Sequence, residues 1–413
     1  MPQLKEDFVL RLARRLNVFL SLRAGITGGD VVRTTSMEEK LAAQERELDR
    51  HRIDNEDLRR QLTWQAETIA RLRAPVEGFR NGFQNVSTAD GPSTQLFFVV
   101  GHGRSGTTWL QNILNSHPEV MCRGEGWLFN RNFRREDFRE LHPRLKPSSL
   151  YNAILTSEYL KLWIERSPWT ANDGVLPEEH LDNMTHWAVN YFLTRPLLGT
   201  GKRIVGDKTA SHGIEALEDI GNICPDAKVI HMIRDGRDVA VSLAHFLWNH
   251  SMSEGGIYEL QPEELEMREA YRKDPAAFAD KSIFTEKRLA DVAAGWRSEV
   301  GEAIKHGPTL LGDRYLEVRY ETLLSQPESE VARILRYLGA DASGRSVKAC
   351  IEATGFEQTS KRKRGEEDSS SVRFRKGVAG DWRNVFTERD ESIFKEKAGD
   401  LLVELGYEKD SGW

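Results

Sequence analysis

The residues Leu96-Phe97-Phe98-Val99-Val100, followed by Gly101-His102-Gly103-Arg104-Ser105-Gly106-Thr107-Thr108-Trp109-Leu110-Gln111, constrain this chain more than any others. Five consecutive apolar, β-prone residues predict a buried strand of a parallel sheet. Three glycines then allow a tight turn and close approach of backbone to an anion. The amides of residues 104–108 sit at the start of the predicted helix, where they and the helix dipole favour negative charge. A nucleoside-triphosphate loop reads GxxxxGK[ST]. Gly101 and Gly106 keep that spacing, but Thr107 stands in the lysine position and the cation has moved forward to Arg104. Such a loop can hold a phosphate-like group, yet lacks the lysine that an NTPase sets on its β- and γ-phosphates.

Two further stretches narrow the kind of phosphate ligand. Lys228-Val229-Ile230-His231-Met232-Ile233-Arg234-Asp235-Gly236-Arg237-Asp238-Val239-Ala240-Val241-Ser242 reads as a second strand running into a helix, with Arg234 at the strand end and Ser242 two turns into the helix. An arginine supplies a forked donor matched to phosphate oxygens, and a serine adds a hydroxyl. Arg237 and Asp238 read as a surface ion pair. The third stretch is Arg373-Phe374-Arg375-Lys376-Gly377-Val378-Ala379-Gly380-Asp381-Trp382-Arg383-Asn384.

Taken in order, these three elements resemble the sulfotransferase family that uses 3′-phosphoadenosine-5′-phosphosulfate (PAPS), and the resemblance runs from residue 96 to about 387. It implies that Arg104, Ser105, Gly106, Thr107 and Thr108 hold the 5′-phosphosulfate. It implies that Arg234, Ser242, Arg375, Lys376 and Gly377 clamp the 3′-phosphate. Trp109 and Tyr320 match family aromatics on the adenine, and Thr354 and Phe356 match the pair that closes on the purine. The implied fold is an α/β, P-loop-like three-layer domain with a central parallel sheet, with PAPS as donor substrate and no metal.

Sulfuryl transfer needs positioning, fixed positive charge and a base for the acceptor's proton. Cytosolic small-molecule members place a histidine two residues after a lysine. The corresponding run here is Asp207-Lys208-Thr209-Ala210, without that histidine, and His212 follows too late to match directly. Protein-tyrosine and several carbohydrate and bacterial members instead place a glutamate soon after the first helix. Glu125, in Cys122-Arg123-Gly124-Glu125, matches that position and is taken as the base, with His212 and His102 as the other candidates. By the same resemblance Lys208 steadies the bridging oxygen of the leaving group, and Arg104 acts on the developing charge.

The rest of the sequence sets the surroundings. In 413 residues, 39% are apolar and 30% charged, enough for one large domain with an appendage. A net charge of −6 argues against nonspecific nucleic-acid binding. Three scattered cysteines suit a reducing compartment, and with no spanning run or signal-peptide core the expected location is cytoplasmic. Residues 1–35 read as an amphipathic basic helix, which either packs on protein or touches a membrane surface through residues 1–30. Residues 36–74 hold a heptad with one seam of Leu41, Leu48, Asn55, Leu62 and Ile69 and a more polar one of Met37, Gln44, His51, Leu58, Gln65 and Leu72, the pattern of a homodimeric coiled coil over residues 37–72, with a single solvated helix as the alternative. Residues 75–94 read as a linker and 95–408 as the α/β domain, with strands at 96–101, 203–206, 228–233 and 315–319. Trp127, Phe129, Trp163, Trp169 and Trp187 lie where acceptor recognition is expected, for a glycan or small-molecule acceptor. A nucleotide kinase of the same fold and a silent binding scaffold are the competing readings. The first lacks the loop lysine and an evident aspartate for magnesium. The second leaves a full set of donor-site groups unexplained.

Overall fold

The computed structural model of the chain describes residues 94–129, 149–170, 173–210, 216–250, 260–366 and 375–413. The segment expected to form an N-terminal helix, the heptad segment, the linker up to residue 93, and His212 lie outside the described residues, as do residues 367–374.

In chain order the strands are β1 Gln95–Val100, β2 Val120–Gly124, β3 Ile204–Lys208, β4 Lys228–Ile233 and β5 Tyr315–Arg319. The helices are α1 Thr107–Asn115, α2 Leu150–Leu155, α3 Glu158–Arg166, α4 Pro177–Thr194, α5 Leu217–Ile223, α6 Gly236–His250, α7 Pro262–Lys273 and α8 Glu286–Leu311. They continue with α9 Tyr320–Ser325, α10 Pro327–Leu338, α11 Gly344–Ala353, α12 Phe356–Ser360 and α13 Glu388–Glu404. The strands form one parallel sheet in the order β2-β3-β1-β4-β5. This is the expected three-layer α/β architecture with helices on both faces.

Side-chain alternation along β1 builds those layers. Leu96, Phe98 and Val100 enter one buried cluster with Val189, Val205, Ile220 and Leu311. Phe97 and Val99 enter the opposite one with Leu110, Ile113, Ile204 and Ile334. A third cluster around Trp296, Phe394 and Leu402 joins α8 to α13 beside the end of β4. Four strands coincide with the expected ones to within two residues. The strand absent from the sequence reading is β2. Its Val120 and Cys122 are buried but Arg123 and Gly124 are exposed, so an edge strand of five residues carries only half a hydrophobic pattern. Packing also continues beyond residue 408, because the Trp413 ring lies against Arg237.

Candidate active site

In a parallel sheet, ligands gather at the carboxyl ends of the strands. Here those ends present, from β2 across to β4, Glu125, Lys208, the 101–106 loop and Arg234. Gly124 pairs with Lys208, Lys208 with Val99, and Val100 with His231, so the four groups share one edge of the sheet. Three strand spacings of about 4.8 Å separate β2 from β4, on the order of 14 Å in all, which suits a nucleotide laid across the sheet.

The loop itself is held by conformation. Gly106 caps α1 with φ +93°, and a Cβ there would meet the Tyr320 ring at 2.6 Å, so glycine is required twice over. Arg104 has φ +72°, a left-handed conformation for a non-glycine residue of the kind that gathers at functional sites. Ser105 is fully buried, and its Oγ has no hydrogen-bond partner among the described residues. A buried, unpartnered hydroxyl in the loop that leads into the N-terminus of α1 fits a bound oxyanion. Thr107 is buried, whereas Thr108 and Trp109 are half-buried.

Arg104 ties the two halves of the site together. Its Nε donates to Ser242 Oγ at 3.1 Å, its guanidinium lies 4.8 Å from the Phe246 ring, and its carbonyl accepts from Arg234 Nη1 at 3.2 Å. Arg234 also donates to the Val378 carbonyl at 3.1 Å and stacks 4.4 Å over Tyr320. Its Nε is buried with no hydrogen-bond partner among the described residues, a second orphan donor. The Tyr320 ring meets Trp109 edge to face at 5.7 Å. Phe356 is buried, and the Gly377 backbone, at φ +68°, lies against its ring. Thr354 is buried too, but its hydroxyl donates to the Cys350 carbonyl at 2.7 Å, closing the end of α11.

Arg375 and Lys376 converge on one carboxylate. Asp381 pairs with Arg375 and lies 3.0 Å from Lys376 Nζ. Burial pushes the Asp381 carboxyl up, but the two cations prevail and hold it down at about 2. Asp238 holds the same loop from below: its carboxylate accepts the Gly380 and Trp382 amides at 2.7 and 3.0 Å. Arg237 and Asp238 are therefore not a surface pair. Both are buried, and Arg237 is bound instead to Asp235 and Glu408 and lies between Trp382 and Trp413. The Gly-Asp-Trp that follows Arg375-Lys376-Gly377 was the available signal for this brace.

On the other side of the loop, Lys208 is 4% exposed and its Nζ donates to the Glu125 carboxylate. Glu125 is half exposed, so one side of the carboxylate faces outward. His102 faces elsewhere. Its Nδ1 lies 2.9 Å from the Gly103 carbonyl, its Nε2 lies 3.8 Å from Glu299 on α8, and burial lowers its pKa. Of the aromatic residues expected near the acceptor, Phe129 is in the core against Phe98, whereas Trp163, Trp169 and Trp187 are exposed. Among the described residues, no group of three or more His, Cys, Asp or Glu side chains is placed to hold a metal.

The 101–106 loop, Arg104 with Arg234, and the strand-end Lys208–Glu125 pair thus lie along one end of the sheet. Residues 97–343 match the model of the Sulfotransferase family, and the chain belongs to that family. It is 26% identical over 327 residues to the nodulation protein NoeE of Sinorhizobium fredii, covering 77% of this chain and 67% of that one. It is 28% identical over 250 residues to a putative protein-tyrosine sulfotransferase of Caenorhabditis briggsae, covering 59% of this chain and 65% of the relative. The chain thus spans about two thirds of the length of these curated relatives. Among solved structures, a mouse sulfotransferase, SULT7A1, complexed with PAP matches at TM-score 0.38 and 15% identity, over 78% of this chain and 87% of that one.

Proposed function

We propose that this enzyme moves the sulfuryl group of PAPS to a hydroxyl (or amine) of a carbohydrate or small natural product. The observation that carries the reading is the row of groups along one sheet edge: Glu125 with Lys208, the 101–106 loop, then Arg234. The two buried orphan donors, Ser105 Oγ and Arg234 Nε, fit anionic oxygens on the 5′ and 3′ sides of the donor. In this reading Glu125 takes the acceptor's proton as the acceptor oxygen bonds to sulfur. Lys208 and Arg104 stabilise the charge released on the departing phosphate oxygen as the S–O bond breaks. Fixed side-chain cations supply that charge, so turnover persists in EDTA. The enzyme works in the cytoplasm. It binds no nucleic acid, and residues 1–30 are the place where it could touch a membrane.

Radiolabelled PAPS offered with a panel of glycans, phenols and hydroxylated natural products tests the assignment. Label should reach at least one acceptor class, and Arg104→Ala should lower turnover more than donor affinity, because its charge matters most as the leaving phosphate develops. No transfer to any class, or strict dependence on Mg²⁺ and ATP, would contradict it.

The heptad over residues 37–72, with Asn55 on its leucine seam, supports a parallel dimer. Light scattering should give twice the chain mass for the full chain and a single mass for a truncation starting near residue 90. A monomeric full chain would refute the coiled coil.

A further inference from the structure

The segment that carries Glu125 is strained. Glu125 and Trp127 have φ of +53° and +52°, so two non-glycine residues in three adopt the left-handed conformation. Such a residue is strained and persists only where neighbours over-determine it. The turn is held from both ends: the Trp127 carbonyl accepts the Leu150 amide of α2 at 2.9 Å, and β3 holds the Glu125 side. The Glu125 amide donates to the Lys208 carbonyl at 2.7 Å. The Gly126 amide, between the two strained residues, donates to Asp207 Oδ1 at 3.1 Å. The other Asp207 oxygen accepts the Thr209 hydroxyl at 2.6 Å. A Cβ on Gly126 would lie 2.8 Å from Asp207 Oδ1, so the turn is seated directly on that carboxylate.

Asp207 is 3% exposed, and no cation is paired with it among the described residues. Its neighbour Lys208 points its ammonium at Glu125 instead. Burial raises the Asp207 pKa; the Thr209 and Gly126 hydrogen bonds lower it, the nearby Glu125 charge raises it and the Lys208 charge lowers it. A buried carboxylate this close to a second one is costly to keep. Its use lies in the turn.

We propose that Asp207 is a positioning residue for the reaction, fixing the strained Glu125-Gly126-Trp127 turn so that the Glu125 carboxylate is aimed along the sheet edge beside Lys208. The proposal rests on reading Glu125 as the base. Asp207 touches neither donor nor acceptor and acts only through Glu125. A displacement of the base by about 1 Å can lower turnover about 10²-fold.

The test is a double-mutant cycle on the full chain with the acceptor found above, reading kcat, KM for the acceptor and PAP affinity. Asp207→Ala should lower kcat about 10²-fold with PAP affinity unchanged. Asp207→Asn, which keeps one acceptor oxygen, should recover part of the loss. In a Glu125→Gln background, Asp207→Ala should cost nothing further, since there is no base left to aim. Gly126→Ala, on the exposed turn, should give the same kcat loss and the same non-additivity, and it decides the matter should Asp207→Ala fail to fold. Losses that multiply in the double variant, or wild-type kcat in both Asp207→Ala and Gly126→Ala, would overturn the positioning role. Full activity in Glu125→Gln would instead overturn the base assignment itself.

Discussion

Glu125→Gln should lower turnover by roughly 10²–10⁴-fold while PAP binds as it does to the wild type. Glutamine keeps the shape and can still accept from Lys208, but it cannot take a proton. The expectation follows from geometry. Glu125 leaves the end of β2, its carboxylate meets the buried Lys208 ammonium, and its other side is open. The competing histidine within the described residues, His102, is turned toward Gly103 and Glu299. Steady-state kinetics beside calorimetric PAP binding separates the two effects. A Glu125→Gln enzyme with wild-type kcat, alongside an inactive His212→Ala, would move the role to His212.

Arg237→Ala should destabilise the domain by about 3–5 kcal/mol, the usual cost of removing one partner from a buried ion pair. The Arg237 side chain is fully buried. Its guanidinium binds both oxygens of Asp235, at 3.0 and 2.8 Å, and also pairs with Glu408. It lies 3.7 Å from the Trp382 ring and 4.7 Å from the Trp413 ring. Alanine leaves two carboxylates without their cation and two indoles without the plane between them. Lysine is no rescue, since it cannot reproduce the forked contact. Because Arg234 is three residues away and Trp382 closes the Arg375–Lys376 loop, PAP affinity should fall as well. Denaturant unfolding monitored by tryptophan fluorescence reads the effect, and a loss below about 1 kcal/mol would show that the network is not a structural brace.

The sheet was legible because its central strands β1 and β4 are mostly apolar, and a run such as Phe97–Val100 can be little else in a chain with helical spacing around it. The elements proposed for the donor site stand out for another reason: binding an anion demands glycine, arginine and hydroxyl side chains close together in sequence, and such local constraints survive in a linear reading. What escaped depends on contacts between distant segments. Asp207 reads as an ordinary residue before a strand-end lysine until Gly126 is seated on it. Arg237 reads as a surface charge, because nothing local announces that Trp413 will cover it. The edge strand β2 escaped because half its residues face solvent.

Titrating the full chain with 3′,5′-adenosine bisphosphate in a calorimeter, without metal, tests the proposed PAPS site most directly. Wild-type protein should bind one nucleotide per chain, and Arg234→Ala should weaken binding by about 1.5–3 kcal/mol through the loss of charge-assisted phosphate contacts. Absence of binding by the wild type, or equal affinity in Arg234→Ala, would contradict the account.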